Sequence, residues 1–309
     1  MGGHSSGTRS LPNFDDRSRR LRAMKSEAQK PLALMNESTI GFKQSKLPVF
    51  LRIMLFWGCY MAILILEWKV KTKIPPQWGQ LFWGLASSAA LLLLTFVILH
   101  WEGRTFRDVG LNLEAMSVPR LVTGIAIGLA SFAAILLLIN IVAGPMRLTR
   151  GTASSGSTVV TGCSILALAC MEELGFRAYP LRTLVRTQGM WQAQAIVVVA
   201  FGLCHVAYGW SWVNIVLGVM PWALVFGMAA TSSRGLAMSL GVHAGINFAQ
   251  SAVNDNSGIW KLVFNEQLRT RIGLASRIVN IAVTMFVAFL FWRLQVHRNR
   301  GDAASIASE

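Results

Sequence analysis

Six side chains that could do chemistry stand in stretches that are otherwise apolar. They are Glu172, Glu173 and Arg177 in MEELGFR, His205 in FGLCH, and His243 with Asn247 in HAGIN. An ionisable side chain inside a membrane helix costs about 2.5 to 3.5 kcal/mol on insertion scales, so a group of them needs a partner or a function. Glu173 and Arg177 lie four apart in the order that favours a helical ion pair, and a buried pair tying helices together accounts for them. It does not account for Glu172, which points about 100° away from Glu173 around a helix. His243 and Asn247 are also four apart and share a face, so both reach one small volume between helices. Phe201 precedes His205 by one turn and supports its ring by packing.

A carboxylate in a dry cavity can act as a general base toward water, and a neighbouring imidazole can share that proton or bind the water. Histidine and asparagine on a facing helix offer donors where negative charge develops on a carbonyl oxygen. Together these are the parts of peptide hydrolysis without a serine or cysteine nucleophile. The alternative is a metal: Glu172, His205 and His243 could ligate zinc with one position open. The compact HExxH spacing is absent, so spacing alone selects no metal.

The elements that must carry these groups follow from composition. Of 309 residues 53% are hydrophobic and 14% charged, with 11 Trp, which points to a polytopic membrane bundle. Runs near the roughly 20 residues needed to cross a bilayer recur along the chain, and in lipid they must be helices. The expected fold is all-α, with about eight membrane helices over Pro48–Leu66, Trp78–His100, Leu121–Val142, Val159–Ala178, Met190–Val206, Ile215–Ala230, Leu236–Val253 and Ile272–Leu294. Residues 1–46 read as a polar tail, 47–295 as the membrane domain and 296–309 as a second polar tail. Gly103 to Pro119 is too polar to span and is placed at the interface. Gly124 with Gly128, and Gly241 with Gly245, have the spacing that lets helices approach closely.

Level can be estimated. If the fourth and fifth helices turn near Thr187 to Gly189, Glu172 and His205 each lie about 23 Å of helix from that turn. A kink at Pro180 would disturb the match. His243 is about 12 Å from the start of its own helix, so the hairpin must protrude by roughly 10 Å for the three to meet. Arg182 and Arg186 near its tip suit that exposure.

The net charge of +15 does not indicate nucleic acid, because the basic residues sit mostly between apolar runs. They are read as headgroup contacts and orientation signals. About twice as many Lys and Arg fall on the side of the two termini, which places both in the cytoplasm. Cys59, Cys163, Cys170 and Cys204 lie in apolar runs without paired spacing, so reduced thiols are expected. Residues 1–46 contain no apolar core of a cleavable signal, and the first helix is expected to direct insertion.

The ordered pattern EExxxR, FxxxH and HxxxN on successive hydrophobic segments resembles the CPBP family of intramembrane proteases, which includes type II CAAX prenyl endopeptidases and bacteriocin-processing relatives. The resemblance covers roughly Thr158 to Val253, and more loosely the helix from Leu121. It implies an endopeptidase in which Glu172 activates water, His205 partners it at the water, and His243 with Asn247 stabilises the oxyanion. Glu173, Arg177 and Phe201 would be supporting residues. It further implies membrane lipid and a membrane-associated protein or peptide as partners, cleaved for prenylated proteins three residues from the C-terminus, with no cofactor expected and zinc as the alternative. Where the family usually has Gly after the Arg, this chain has Ala178. A bacterial cytoplasmic membrane suits its composition. Buried Glu and His also mark ion pathways, so a proton- or solute-coupled transporter is the competing class, and a non-catalytic scaffold a third. Neither an inverted repeat nor a matched pair of broken helices favours the transporter.

Overall fold

Lipid offers the backbone no hydrogen-bond partners, and the chain answers with helix nearly throughout. A computed structural model describes residues 48–70, 73–253 and 258–308; the polar segment 1–46 lies outside the described residues. The helices are α1 (Val49–Val70), α2 (Pro76–Glu102), α3 (Ser117–Ala143), α4 (Ser155–Glu173), α5 (Tyr179–Gln188), α6 (Met190–Ala207), α7 (Met220–Ser233), α8 (Ala237–Ala252) and α9 (Arg269–Ser308). A π-helical turn, Leu174–Ala178, joins α4 to α5. A single α-turn, Trp212–Asn214, and a second π turn, Ile215–Val219, lead into α7. Among the described residues seven helical spans are long and apolar enough to cross a membrane, with α4, its π turn and α5 counting as one. The eighth segment, α8, has only 16 residues and stands inside the bundle, with Gly241 through Ile246 all buried. Outward faces remain apolar: Phe50, Leu93, Ile141, Val199, Leu203 and Phe286 are largely exposed, as lipid-facing residues must be.

The two π turns share a cause. Each ends two residues before a proline, Pro180 or Pro221, which lacks an N–H and crowds the preceding turn. Widening the turn relieves the clash but leaves a carbonyl without its helical donor. In the first turn the Gly175 carbonyl accepts from Trp57 Nε1 of α1 at 3.2 Å. In the second the Leu217 carbonyl accepts from Asn280 Nδ2 of α9 at 2.8 Å, and Asn280 Oδ1 accepts from Trp222 Nε1. So the anticipated kink at Pro180 takes the form of a π turn, and α5 runs on to Gln188 before Gly189, at φ +80°, reverses the chain into α6.

α8 is positioned by α3. The two glycine pairs face one another: a Cβ on Gly124 would lie 2.4 Å from the Met238 carbonyl oxygen, and one on Gly245 would lie 2.5 Å from that of Ile125. Only hydrogen at these positions permits the crossing, which fixes the height of His243 in the bundle.

A second polar cluster fastens α1 and α2 to α5. The Glu102 carboxylate accepts from Arg52, from Arg104 at 2.8 Å and from Tyr179 Oη at 2.6 Å, while Arg104 also donates to Thr183 at 3.0 Å. The interfacial segment forms a 3₁₀ turn, Phe106–Val109, boxed by Thr105 and Asp108. Partial burial would raise the Asp108 carboxyl, but hydrogen bonds from the Thr105 backbone and hydroxyl, and from Arg186, outweigh it and hold the group below the usual carboxylate range. Arg182 departs from the expected solvated tip. It lies against Gly110 and donates to the Ala230 carbonyl at 2.6 Å, so the hairpin end is clamped rather than free.

Two features were not anticipated. Met146–Arg150 (β1) pairs antiparallel with Trp260–Phe264 (β2), Met146 opposite Phe264, and joins the loops after α3 and α8. The segment expected as a polar C-terminal tail continues α9 to Ser308, where Arg298 donates to the Ser232 carbonyl and Asp302 pairs with Arg234.

Candidate active site

Glu172 and Glu173 are the last residues of α4, immediately before the first π turn. They leave the helix in different directions, yet both reach one imidazole. His243 Nδ1 lies 2.9 Å from Glu173 Oε1, and its Nε2 lies 3.5 Å from Glu172 Oε2. The ring therefore stands between two carboxylates, with Phe226 of α7 stacked on it at 4.2 Å and an interplanar angle of 17°.

Glu173 is the buried member of the couple. Its Oε1 stands 3.4 Å from Arg177 Nη1, and its other oxygen takes the Ser239 hydroxyl, which also lies 2.8 Å from the Phe226 carbonyl oxygen. Arg177, itself without exposure, donates to the Ala223 carbonyl at 3.2 Å and places its guanidinium 4.3 Å from the Phe201 ring and 5.4 Å from that of Phe226. One cation thus ties α4, α6 and α7 around Glu173. A carboxylate so enclosed is suited to orienting His243. Glu172, with 15% of its side chain exposed, retains access to a small molecule.

His205 is held by its own helix. Its Nδ1 donates to the Phe201 carbonyl at 2.9 Å, and since a carbonyl only accepts, Nε2 of the neutral ring is left as an acceptor. Phe201, Trp210 and Tyr208 surround it at 4.7, 5.6 and 5.7 Å between centroids. Phe201 is also 6.2 Å from His243, so a single phenyl ring lies between the two histidines. Asn247 is half-buried one turn beyond His243 on α8 and makes no hydrogen bond among the described residues, which leaves its carboxamide unengaged. The structure joins Glu172, Glu173, Arg177 and His243 by direct contact, brings His205 to them through Phe201, and places Asn247 one turn away along α8.

The Tyr60 and Tyr208 hydroxyls and the Cys204 thiol also lie within electrostatic reach of Glu172. Sequence reasoning passed over these, along with Ser239 and Phe226. Ser239 had a signal, since it falls one turn before His243 on the face that carries Asn247. Phe226 and Tyr60 had none, because an aromatic in an apolar run reads as packing.

Among the described residues no three His, Cys, Asp or Glu side chains converge closely enough to hold a metal ion.

Residues 154–249 match the family described as Rce1-like, type II CAAX prenyl endopeptidase Rce1-like. No curated protein matches the chain. The matched stretch begins at Ser154, whose hydroxyl caps α4, and ends within α8 just beyond Asn247. Both carboxylates, both histidines and the asparagine fall within this matched stretch, and the match is consistent with a CPBP intramembrane protease.

Proposed function

We propose that the chain is an intramembrane endopeptidase that hydrolyses a peptide bond of a membrane-associated protein or peptide with Glu172 as the base. The observation that supports this most is the His243 ring held between Glu172 and Glu173, inside the Rce1-like segment. In the proposed reaction a water gives its proton to Glu172 while its oxygen attacks the scissile carbonyl carbon. His205 Nε2, free to accept, takes the water's second hydrogen as a hydrogen bond and orients the attack. The resulting oxyanion accepts from His243 Nε2 and the Asn247 carboxamide. Because His243 Nδ1 already faces Glu173, donation from Nε2 requires the ring to carry both protons, and two flanking carboxylates balance that charge. The C–N bond then breaks, and Glu172 returns its proton to the departing amine.

In this proposal the base and the donors come from the chain alone, without a metal. The basic segments between helices contact lipid headgroups, and both termini face the cytoplasm, an orientation that rests on the Lys and Arg bias and requires the short α8 to cross along with the seven longer spans; the composition suits a bacterial membrane.

The test uses purified full-length protein in vesicles and an internally quenched peptide ending in farnesyl-cysteine and three further residues. Glu172→Gln is expected to lower the turnover number by about 10³-fold, within the usual range for loss of a general base. Cleavage by the variant at the native rate removes the proposed base. Native activity that survives chelation, in protein shown metal-free by elemental analysis, agrees with the metal-independent proposal. Activity lost on chelation and restored by zinc overturns that part of it.

A further inference from the structure

Between α2, α3 and the start of α8 lies a cavity of about 540 Å³, within the roughly 300 to 1,000 Å³ of small-ligand sites. Leu92, Phe106, Leu121, Leu236 and Leu240 line its walls, and on α4 and its π turn it reaches Cys170, Glu173 and Leu174. The Glu173 carboxylate is already engaged by Arg177, Ser239 and His243, so the interior suits hydrocarbon. The remaining polar lining residues, Asn112, Ser117 and Arg120, are gathered at one end around Glu114. Asn112 and Arg120 both donate to its carboxylate, and its backbone N–H donates to the Ser117 hydroxyl at 3.0 Å. Leu113 and Val118 beside them are largely exposed and open the cavity toward the bilayer.

This end of the bundle carries an excess of cations. Asp108 pairs with Arg186, Glu114 with Arg120 and Asp302 with Arg234, while Glu102 faces both Arg52 and Arg104. Arg182 and Arg298 donate to backbone carbonyls at the end of α7, those of Ala230, Thr231 and Ser232. Arg298 has Arg120, Arg234 and Asp302 as electrostatic neighbours, so the polar end of the cavity and the α7–α8 junction share one positive field. The Arg120–Glu114 pair is open to water, with 29% and 42% of the two side chains exposed, and is therefore weak. Glu114 meets the guanidinium at Nη1, and the rest of its planar fork remains for a phosphate. On the proposed orientation this end meets the cytoplasmic leaflet, where anionic lipids are attracted by basic groups between helices.

We infer that the cavity holds one acyl chain of an anionic phospholipid, with the lipid phosphate on Arg120 and with Arg234 and Arg298 strengthening the field that selects a negative headgroup. The chain lies against Leu236 and Leu240 and so braces α8, the helix that carries His243. This does not depend on the endopeptidase reading.

The experiment measures the thermal unfolding midpoint of full-length protein in dodecyl maltoside with added dioleoyl-phosphatidylglycerol or dioleoyl-phosphatidylcholine. Phosphatidylglycerol at a large excess over its Kd is expected to raise the midpoint by about 5 °C, and phosphatidylcholine by less than half as much. Arg120→Gln should abolish the difference between the two lipids. Glu114→Gln, which frees Arg120, should lower the phosphatidylglycerol concentration that gives half the shift several-fold. Val118→Trp, which narrows the open wall of the cavity, should raise that concentration several-fold. Equal shifts from the two lipids in the native protein overturn the proposal, as does an undiminished preference in Arg120→Gln or an unchanged half-shift concentration in Glu114→Gln. A native response in Val118→Trp places the lipid on the surface and overturns the acyl-chain site. Loss of the phosphatidylglycerol shift when farnesyl-cysteine methyl ester is added gives the cavity to an isoprenyl chain and also overturns it.

Discussion

The two π turns, Leu174–Ala178 and Ile215–Val219, are alike in backbone and unlike in everything attached to it. Both precede a proline, both expose a carbonyl, and in both a side chain from a distant helix answers that carbonyl, Trp57 in the first and Asn280 in the second. The first follows two carboxylates and contains Arg177; the second, IVLGV, contains no ionisable group. A widened turn in a membrane helix is therefore no sign of a site by itself. Proline accounts for the geometry, and the chemistry comes from the groups that the geometry presents to α6, α7 and α8.

The largest effect should separate the two turns at once. Arg177→Ala removes the guanidinium that faces Glu173 and breaks a fully buried ion pair, a change of about 3 to 5 kcal/mol. Urea unfolding in mild detergent, followed by tryptophan fluorescence, measures it. A loss below about 1 kcal/mol would mean that Ser239 and His243 suffice for Glu173, and the contrast between the turns would then rest on Glu172 alone.

Next in size is the exchange of each proline. Pro180→Ala restores an N–H and lets the first turn relax toward α geometry, which rotates Glu172 and Glu173 relative to Arg177 and the α1 contact. Displacement of a reacting group by about 1 Å can cost on the order of 10²-fold in rate, and a loss of that size is expected in the peptide assay. Pro221→Ala makes the same backbone repair in the second turn and should leave the turnover number per folded molecule within about threefold of native. Equal losses from the two substitutions would show that the turns are coupled through α7.

The helices were legible because lipid allows apolar runs little else, and all eight expected spans coincide with helices here. The glycine pairs were legible as close-packing signals, but not that each pair is the other's partner, since spacing carries no information on which helices meet. β1 and β2 escaped notice because MRLTR and WKLVF are five residues each and more than a hundred residues apart. Glu102 escaped for a related reason: Arg52, Arg104 and Tyr179 come to it from three places in the chain. At the candidate site the spacing of Glu173 and Arg177 indicated their pairing. That Glu173 also holds the far nitrogen of the imidazole facing Glu172 could not be read, because the contact spans 70 residues and depends on where α3 sets α8.

Smaller effects sharpen the comparison from the side of the carbonyls. Asn280→Leu orphans the Leu217 carbonyl and the Trp222 indole together, and should cost about 1 to 3 kcal/mol in the same unfolding experiment. The turnover number of the folded fraction should not change, because no hydrogen bond, ion pair or ring contact among the described residues joins the second turn to Glu172 or His243. A specific loss of turnover at constant stability would show that α9 reaches the reaction through α7.

Trp57→Phe is the matching change in the first turn, and it is expected to have the smallest effect on stability. The phenyl ring keeps most of the contact with Phe176 while the bond to the Gly175 carbonyl disappears, a net change of about 1 kcal/mol. What distinguishes it from Asn280→Leu is the consequence for activity. That bond fixes α1 to the turn that directly follows Glu172 and Glu173, and a loosened α1 lets the turn and the two carboxylates shift. A several-fold fall in the turnover number for the farnesyl peptide is therefore expected from the variant with the lesser stability loss, and an unchanged turnover number would show that Arg52 and the Glu102 cluster hold α1 in place without the indole.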